Sequence, residues 1–469
     1  MKTSIVPYSK LSEHQDWRWD SEFVCFEPRR NKDLTYKTIG KVLTFAQYGI
    51  SIDMNEVGIG CKIYRMNEIS DMFCDRTIDK YADISEREIN EFKLKSDDVL
   101  FNRTNSQEFV GRTGIFKKFS EEDIVFASYL VRVRTNHDEV LPEYLTVFLN
   151  TKYGIQDVKR RARISINQSN VNAEELKRVE IPIISKQLQE TIKKLFDVAF
   201  ELVNKSESYY QEAEKILLSE LGLSSWKPKH RLSFVKNFSD AQSAERIDAE
   251  YFQPIYEEVV ERIRQYKKGY KPLGDIVKIK NKNFMPKDAV SYKYIELANI
   301  SENGNINGFI EARGKELPTR ARSKVNTEDV IVSSIEGSLS SVALITDDLD
   351  NALCSTGFFV VNSNKINSET LLVLLKSPIG QLQLKKGCSG TILTAIGDNE
   401  FKQIILPNLR AEIQNEIKKK IATMYGAKSS SKRLLDIAKR GVEIAIEYEE
   451  NKAIALIKSE CSKLNVELL

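Results

Sequence analysis

The chain has 469 residues, of which 41% are hydrophobic and 29% charged, with a formal net charge of +3. That length exceeds one ordinary core and predicts about two to four domains. The near-balanced charge excludes an overall basic field, so any polyanion must be held by local patches. The cysteines at 25, 61, 74, 354, 388 and 461 form no CxxC pair, and His14, His137 and His230 lie near none of them, so no zinc-ligand spacing exists. No apolar run reaches the length of a signal core or a membrane span, and a cytoplasmic protein is expected.

In chain order, an opening arm, Arg18-Trp-Asp-Ser-Glu-Phe, precedes strand-like runs at Ile39–Phe45, Val99–Phe101, Gly114–Phe116 and Tyr129–Val133. A helix is predicted from about Pro142 to Thr151, and Ile181-Pro182 leads into a long helix. There, Leu188, Ile192, Leu195, Ala199, Leu202, Ser206, Tyr209, Ala213 and Ile216 alternate steps of four and three, a heptad seam broken only by Ser206. Gly222 is placed to end this helix as its C′ residue.

The same order then repeats. Arg246-Ile-Asp-Ala-Glu-Tyr answers the arm, and Tyr270-Lys-Pro-Leu-Gly answers Tyr36-Lys-Thr-Ile-Gly. Val325-Asn-Thr-Glu-Asp-Val-Ile answers Leu94-Lys-Ser-Asp-Asp-Val-Leu. Ser368-Glu-Thr-Leu, with Gly380, answers Pro142-Glu-Tyr-Leu, with Gly154, and Leu406-Pro407 answers Ile181-Pro182. The offsets stay between 225 and 234 residues, the mark of a duplicated module. Strand-like runs at Ile276–Ile279, Val330–Val332, Val342–Ile345 and Phe358–Val361 complete the second copy. Its closing helix is predicted as one stretch from about Ile413 to Ser462, with Ile413, Ile417, Ile421, Met424, Leu434, Ala438, Ala445 and Tyr448 as its apolar stripe.

The predicted fold is therefore mixed α/β. Two tandem globular domains occupy residues 1–185 and 246–409, with long helices over 186–222 and 410–469 and a linker over 223–245. Helices of about 36 and 50 residues would span roughly 54 and 75 Å and need partners for their apolar stripes. A homo-oligomeric coiled coil would supply one. A duplicated chain also carries both strands of the seam, which favours an antiparallel pair within one molecule.

Catalytic motifs are missing. No Pro-Pro loop of the kind found in amino-methyltransferases occurs, and Phe109-Val-Gly-Arg-Thr-Gly114 is a poor match to a cofactor-binding turn. Neither Gly40-Lys41-Val42 nor Gly314-Lys315-Glu316 completes a phosphate loop, and the triplets Glu91-Phe-Lys93 and Glu175-Leu-Lys177 are those expected by chance at this charge content. What remains is local polar and basic clustering suited to phosphates and base edges. In the first half the candidates are Asn102, Arg103, Asn105, Ser106 and Arg112, with Arg160, Arg161, Arg163, Gln168 and Asn170. In the second half they are Ser334, Ser338, Lys385, Lys386 and Thr391. Any of these can equally be a solvated loop residue.

Taken together, Ser96-Asp-Asp-Val-Leu-Phe-Asn-Arg, Phe126-Ala-Ser-Tyr-Leu, Pro142-Glu-Tyr-Leu, Asn167-Gln-Ser-Asn-Val-Asn-Ala-Glu-Glu-Leu and Ile181-Pro-Ile-Ile resemble type I restriction–modification specificity subunits. The resemblance implies a non-catalytic protein in which each half is a target-recognition domain reading one part of a split, asymmetric DNA site. It implies long helices that pack antiparallel, set the separation of the domains and dock two methyltransferase subunits, with motor–nuclease subunits joining. S-adenosylmethionine would belong to the methyltransferase, and ATP and magnesium to the motor–nuclease. The second half departs from the pattern, since Ser333-Ser replaces Asn102-Arg and Cys388-Ser-Gly-Thr-Ile-Leu-Thr-Ala lacks the amide richness of 167–172. A coiled-coil scaffold whose globular domains bind protein is the alternative from another class.

Overall fold

A computed structural model describes residues 5, 8, 18, 20–26, 28–76, 78–165, 168–227, 229–280, 282–300, 304–390, 394–464 and 466. The chain forms two compact units, Met1–Val203 with Lys428–Leu469, and Asn204–Ala427. Each long helix is divided between them.

In the first unit the apolar run at Val99–Asn102 sits third in a six-stranded sheet, after Leu43–Tyr48 and Leu130–Thr135 and before Thr113–Ile115, Phe73–Cys74 and Ile69–Ser70. A second sheet joins Ile124–Phe126 in parallel to Cys61–Tyr64, which pairs with Tyr81–Ala82. Val99, Leu100 and Phe101 are fully buried, as a continuous apolar strand covered on both faces must be. The second unit repeats this plan: Lys278–Ile279, Phe358–Asn362, Val330–Ser333 and Val342–Leu344 form one sheet, and Leu353–Ser355 lies parallel to Ser291–Ile295 in the other.

The repeated sequence blocks fall on repeated structural devices. Asp98 accepts the Lys95 N–H and the Arg134 guanidinium, and Asp329 accepts the Asn326 N–H and the Lys280 ammonium. Arg18 pairs with Asp20, donates to the Arg161 carbonyl at 2.8 Å and lies over Phe23; Arg246 pairs with Asp248, donates to the Cys388 carbonyl at 3.0 Å and lies over Tyr251. Each arm is thus clipped to the end of its own module. Gly154 and Gly380 each begin a helix under a preceding one, where a Cβ would stand 2.2 Å from the Phe148 oxygen and 2.3 Å from the Leu374 oxygen.

Several elements differ from the sequence reading, among them Ile276–Ile279, which is divided between the helix Leu273–Ile276 and the strand Lys278–Ile279. The Ile39–Phe45 run is a short helix, Ile39–Val42, followed by the strand Leu43–Tyr48. Two helices rather than one follow the strands, at Pro142–Leu149 and Lys152–Arg161. The closing helix breaks, giving Ala411–Glu447 and Glu450–Lys463. The break has a cause remote in sequence. Asn31 Nδ2 donates to the Ala445 and Tyr448 carbonyls and Arg29 Nη2 to that of Glu447, satisfying acceptors that a helix end leaves open. Glu449 is extended, and the Glu450 carboxylate accepts the Ser185 N–H at 3.0 Å. In a straight helix Gly441 and Ile457 would stand about 24 Å apart. Here Ile457 Cδ1 lies 2.7 Å from where a Gly441 Cβ would be, so the last helix folds back. Tyr448, assigned to the stripe, is accordingly 55% exposed at the turn.

The long helices find their partners within the chain. In the first unit Leu188, Ile192, Leu195 and Ala199 share one core with Leu434, Ala438 and Ala445, with Leu202 packed at its margin, and the Ser431 hydroxyl donates to the Ala199 carbonyl at 2.8 Å. In the second, Ala213 and Leu217 share a core with Ile417, Ile421 and Met424, against which Tyr209, Ile216 and Ile413 pack. Ion pairs of Glu220 with Arg410 and Glu212 with Lys420 show the antiparallel register. Lys186–Glu220 ends as expected: Gly222 adopts φ +69° and the Leu223 N–H reaches the Leu218 carbonyl.

Candidate nucleic-acid interface

The two polar clusters of the first half, some sixty residues apart in sequence, are joined in one small sheet. Arg163–Ser165 pairs with Gln168–Asn170, which pairs with Thr104–Asn105, so Ser169 faces Asn105 and Asn170 faces Thr104. The Asn170 amide donates to Thr104 Oγ1 at 2.7 Å, and the Asn105 side chain accepts the Ser106 N–H, which stiffens the sheet and its loop. Arg163, Gln168 and Ser106 are exposed, Asn105 and Asn170 half-buried, and residues 166 and 167 lie outside the described residues. The sheet therefore presents an arginine, amides and hydroxyls, the groups that contact phosphates and base edges.

Beside it, Arg103 donates from Nε to the Ser128 carbonyl at 2.7 Å and lies over the Tyr48 ring, whose hydroxyl accepts the Ala173 N–H. Arg112 stacks on Phe109 at 3.8 Å, and burial lowers its pKa. Sequence reasoning missed Tyr48, Tyr129 and Ile164, all exposed at this end of the unit. Large apolar side chains placed between polar ones at strand ends were the available signal.

Other candidates serve the core instead. The Arg161 side chain is 5% exposed and bonds to Asp157 and Glu175 at 3.0 and 3.1 Å, so its charge is neutralised internally and it is closed to a phosphate. Arg160 bonds to Asp157 and the Phe23 carbonyl and lies over Phe26; desolvation lowers its pKa despite the carboxylate. Asn102 is fully buried, donating to the Met66 carbonyl. Of the arginines in the run 159–163, Arg163 is exposed and Arg160 keeps 14% of its side-chain surface in solvent.

The second unit makes the same junction with different chemistry. The hairpin Cys388–Ser389 with Ala395–Ile396 meets the corner 333–338 through an Ile335–Ala395 bridge, the Ile396 N–H on the Ser334 carbonyl and the Glu336 N–H on the Thr394 carbonyl. Ser334 donates to the Gly357 carbonyl, and the Ser333 and Ser338 hydroxyls bond at 2.9 Å, so these serines hold the corner and do not stand free for bases. Lys385 is exposed and paired with Glu250, while Lys386 is half-buried over Tyr251 with its pKa lowered by burial. Thr391 lies outside the described residues. Among the described residues no group of three or more His, Cys, Asp or Glu is placed to hold a metal ion, and no helix is long and apolar enough to cross a membrane.

No known family profile matches the chain. Among characterised proteins it is similar to the EcoKI type I restriction enzyme specificity subunit of Escherichia coli, with 30% identity over 169 residues, covering 35% of this chain and 36% of that protein. It is also similar to a Methanocaldococcus jannaschii protein named as the specificity subunit of the type I restriction enzyme MjaX, with 28% identity over 194 residues, covering 40% of this chain and 45% of that one. Each match thus spans less than half of the relative's length. Solved structures of a type I restriction–modification system S subunit from M. genitalium and of the HsdS subunit from Thermoanaerobacter tengcongensis align over 93% and 90% of the chain, at 13% and 10% identity. Their TM-scores are 0.34 and 0.30. In sequence, then, this chain is similar over part of its length to type I restriction enzyme specificity subunits.

Proposed function

We propose that the chain is the DNA-reading specificity subunit of a type I restriction–modification complex, each module reading one part of a bipartite site. The observation that carries this beyond sequence similarity is the repeated junction of a polar corner with a hairpin, 102–106 with 163–170 and 333–338 with 388–396, whose scaffold is kept while its side chains differ. Duplicated modules with divergent contact residues suit a non-palindromic site, just as two-fold dimers suit a palindromic one. In the first module Arg163 would contact phosphate, and Gln168, Asn105 and Asn170 base edges; in the second, Lys385 and Thr391 would serve.

On this reading the chain catalyses nothing. Two methyltransferase subunits holding S-adenosylmethionine would dock on the long helices, and motor–nuclease subunits using ATP and magnesium would complete the assembly. The test is to express the chain with its cognate methyltransferase and map methylated bases genome-wide. A split asymmetric motif that disappears when the chain is omitted is expected. Methylation independent of the chain, or methyl transfer by the pure chain, would overturn the proposal.

A further inference from the structure

The second unit contains a cavity of about 380 Å³ lined by Gly274, Ile279, Lys280, Lys282, Asp398 and Lys402. Its charges are unevenly satisfied. Lys280 is neutralised, donating to Asp329 at 2.5 Å and to Asn326 at 2.9 Å. Lys282 is half-buried with its ammonium 4.4 Å from the centroid of Phe359, a ring stacked on Phe401. Among the described residues neither Lys282 nor Lys402 has a hydrogen-bonding or ion-pairing partner, and Asp398 has none either. Burial lowers the pKa of Lys282, with Asp398 the main opposing influence. A desolvated ammonium set against a phenyl ring, with a carboxylate nearby but not in contact, can still take a directly bound anion.

The first unit shows what closes the matching place there. Its short helix Ala173–Arg178 lies against Gly40, with Lys177 Cβ 3.0 Å from where a Gly40 Cβ would be; Asp398–Gln403 lies against Gly274, with Lys402 Cβ at the same 3.0 Å. In the first unit the Tyr48 hydroxyl covers the Ala173 N–H. In the second, the equivalent corner is the open cavity with Lys282 at its wall. Two unneutralised ammonium groups beside one free carboxylate fit a ligand that joins an anion to a hydrogen-bond donor, and fit a bare multivalent anion poorly because Asp398 would repel it.

We propose that this cavity takes one nucleotide of the bound DNA, its backbone phosphate on Lys282 and Lys402 and an exocyclic base amino group on Asp398. The inference rests on the DNA-binding reading above, and gives the second module a specificity residue that its serine-rich corner lacks. Asp or Glu accepting from a base amino group is a known form of direct readout.

The experiment titrates the purified full-length chain, with its methyltransferase partner, against duplex DNA across a salt series. Absence of salt-dependent binding by the unaltered complex would refute the DNA reading itself. Given binding, Lys282→Gln with Lys402→Gln should lower the slope of log affinity against log salt by about 0.9, since both lysines serve one phosphate contact. Lys282→Arg with Lys402→Arg should keep the slope, and Asp398→Asn should keep it while changing the base selected from a random-sequence pool. An unchanged slope in the glutamine pair, or an unchanged selected sequence for Asp398→Asn, would overturn the inference. A parallel thermal-unfolding series with pyrophosphate separates the source of the anion: stabilisation lost in the glutamine pair, with the DNA slope intact, would assign the cavity to a free phosphate compound and overturn the DNA form.

Discussion

Replacing Arg161 with alanine should destabilise the first unit while leaving DNA electrostatics alone. Its guanidinium is 5% exposed and holds Asp157 and Glu175, themselves 9% and 5% exposed. Removing one member of a buried ion pair costs about 3–5 kcal/mol, because the remaining charge is stranded. Here Arg160 stays on Asp157 at 2.5 Å and Arg178 on Glu175 at 2.8 Å, so the loss should fall at the low end, about 3 kcal/mol. Amide hydrogen exchange over 152–178 reports that loss locally, which suits a chain of two units where a single unfolding midpoint is ill defined. The exchange there should quicken by about a hundredfold, since about 1.4 kcal/mol corresponds to a factor of ten. The slope of DNA affinity against salt should not change. Unaltered exchange with a slope reduced by about 0.9 would refute the reasoning, since it would mean that Arg161 leaves the core to meet a phosphate.

Further outcomes are expected elsewhere. Arg163→Ala should lower the salt slope by about 0.9 with no change in exchange protection, and Gln168→Ala should relax the sequence preference by about 1–3 kcal/mol if it makes a bidentate base contact; selection from a random pool reads both. Gly154→Ala and Gly380→Ala should each destabilise their own unit by about 1–3 kcal/mol, because the added Cβ meets a carbonyl oxygen, and denaturant titration with unit-specific exchange should detect it. Asp75, desolvated, has its pKa raised to about 6, so its native form favours the proton and stability is lost as pH rises from about 4 to about 6. Asp75→Asn, which can still accept from Ser70 Oγ, should therefore raise stability at pH 7.5 by on the order of 2 kcal/mol and make no difference below pH 4.

The duplication was legible because each repeated block performs a local task. The Asp98 and Asp329 turns, the arginine clips and the glycines beneath Phe148 and Leu374 are each specified by a few adjacent residues. The heptad seam was legible for the same reason, since its period is written along one helix. What escaped depends on residues far apart in sequence. Nothing near Tyr448 breaks a helix: no proline or glycine stands there, and the caps arrive from Arg29 and Asn31, more than 400 residues earlier. Likewise Arg161 and Arg163 look alike in a basic run, and only the approach of Glu175 buries one and leaves the other in water. In the second half, Ser334 and Ser338 look available in sequence because serine is commonly exposed, whereas corner geometry turns their hydroxyls inward.

The division of the long helices between units bears on how the protein is made. Leu188, Ile192, Leu195 and Ala199 are buried by Leu434, Ala438 and Ala445, which leave the ribosome at least 235 residues after Ala199. At about 5–20 residues per second, that separates the two halves of the core by roughly 12–47 s. Throughout that interval the first module stands translated with its terminal helix packed on Phe73 but uncovered where Leu434, Ala438 and Ala445 will lie, while the whole second module is synthesised and can already pack Ala213 and Leu217 against Ile417 and Ile421. The first unit to be translated is thus the last to be finished, and its nascent form is a natural client for chaperones that shield apolar helices.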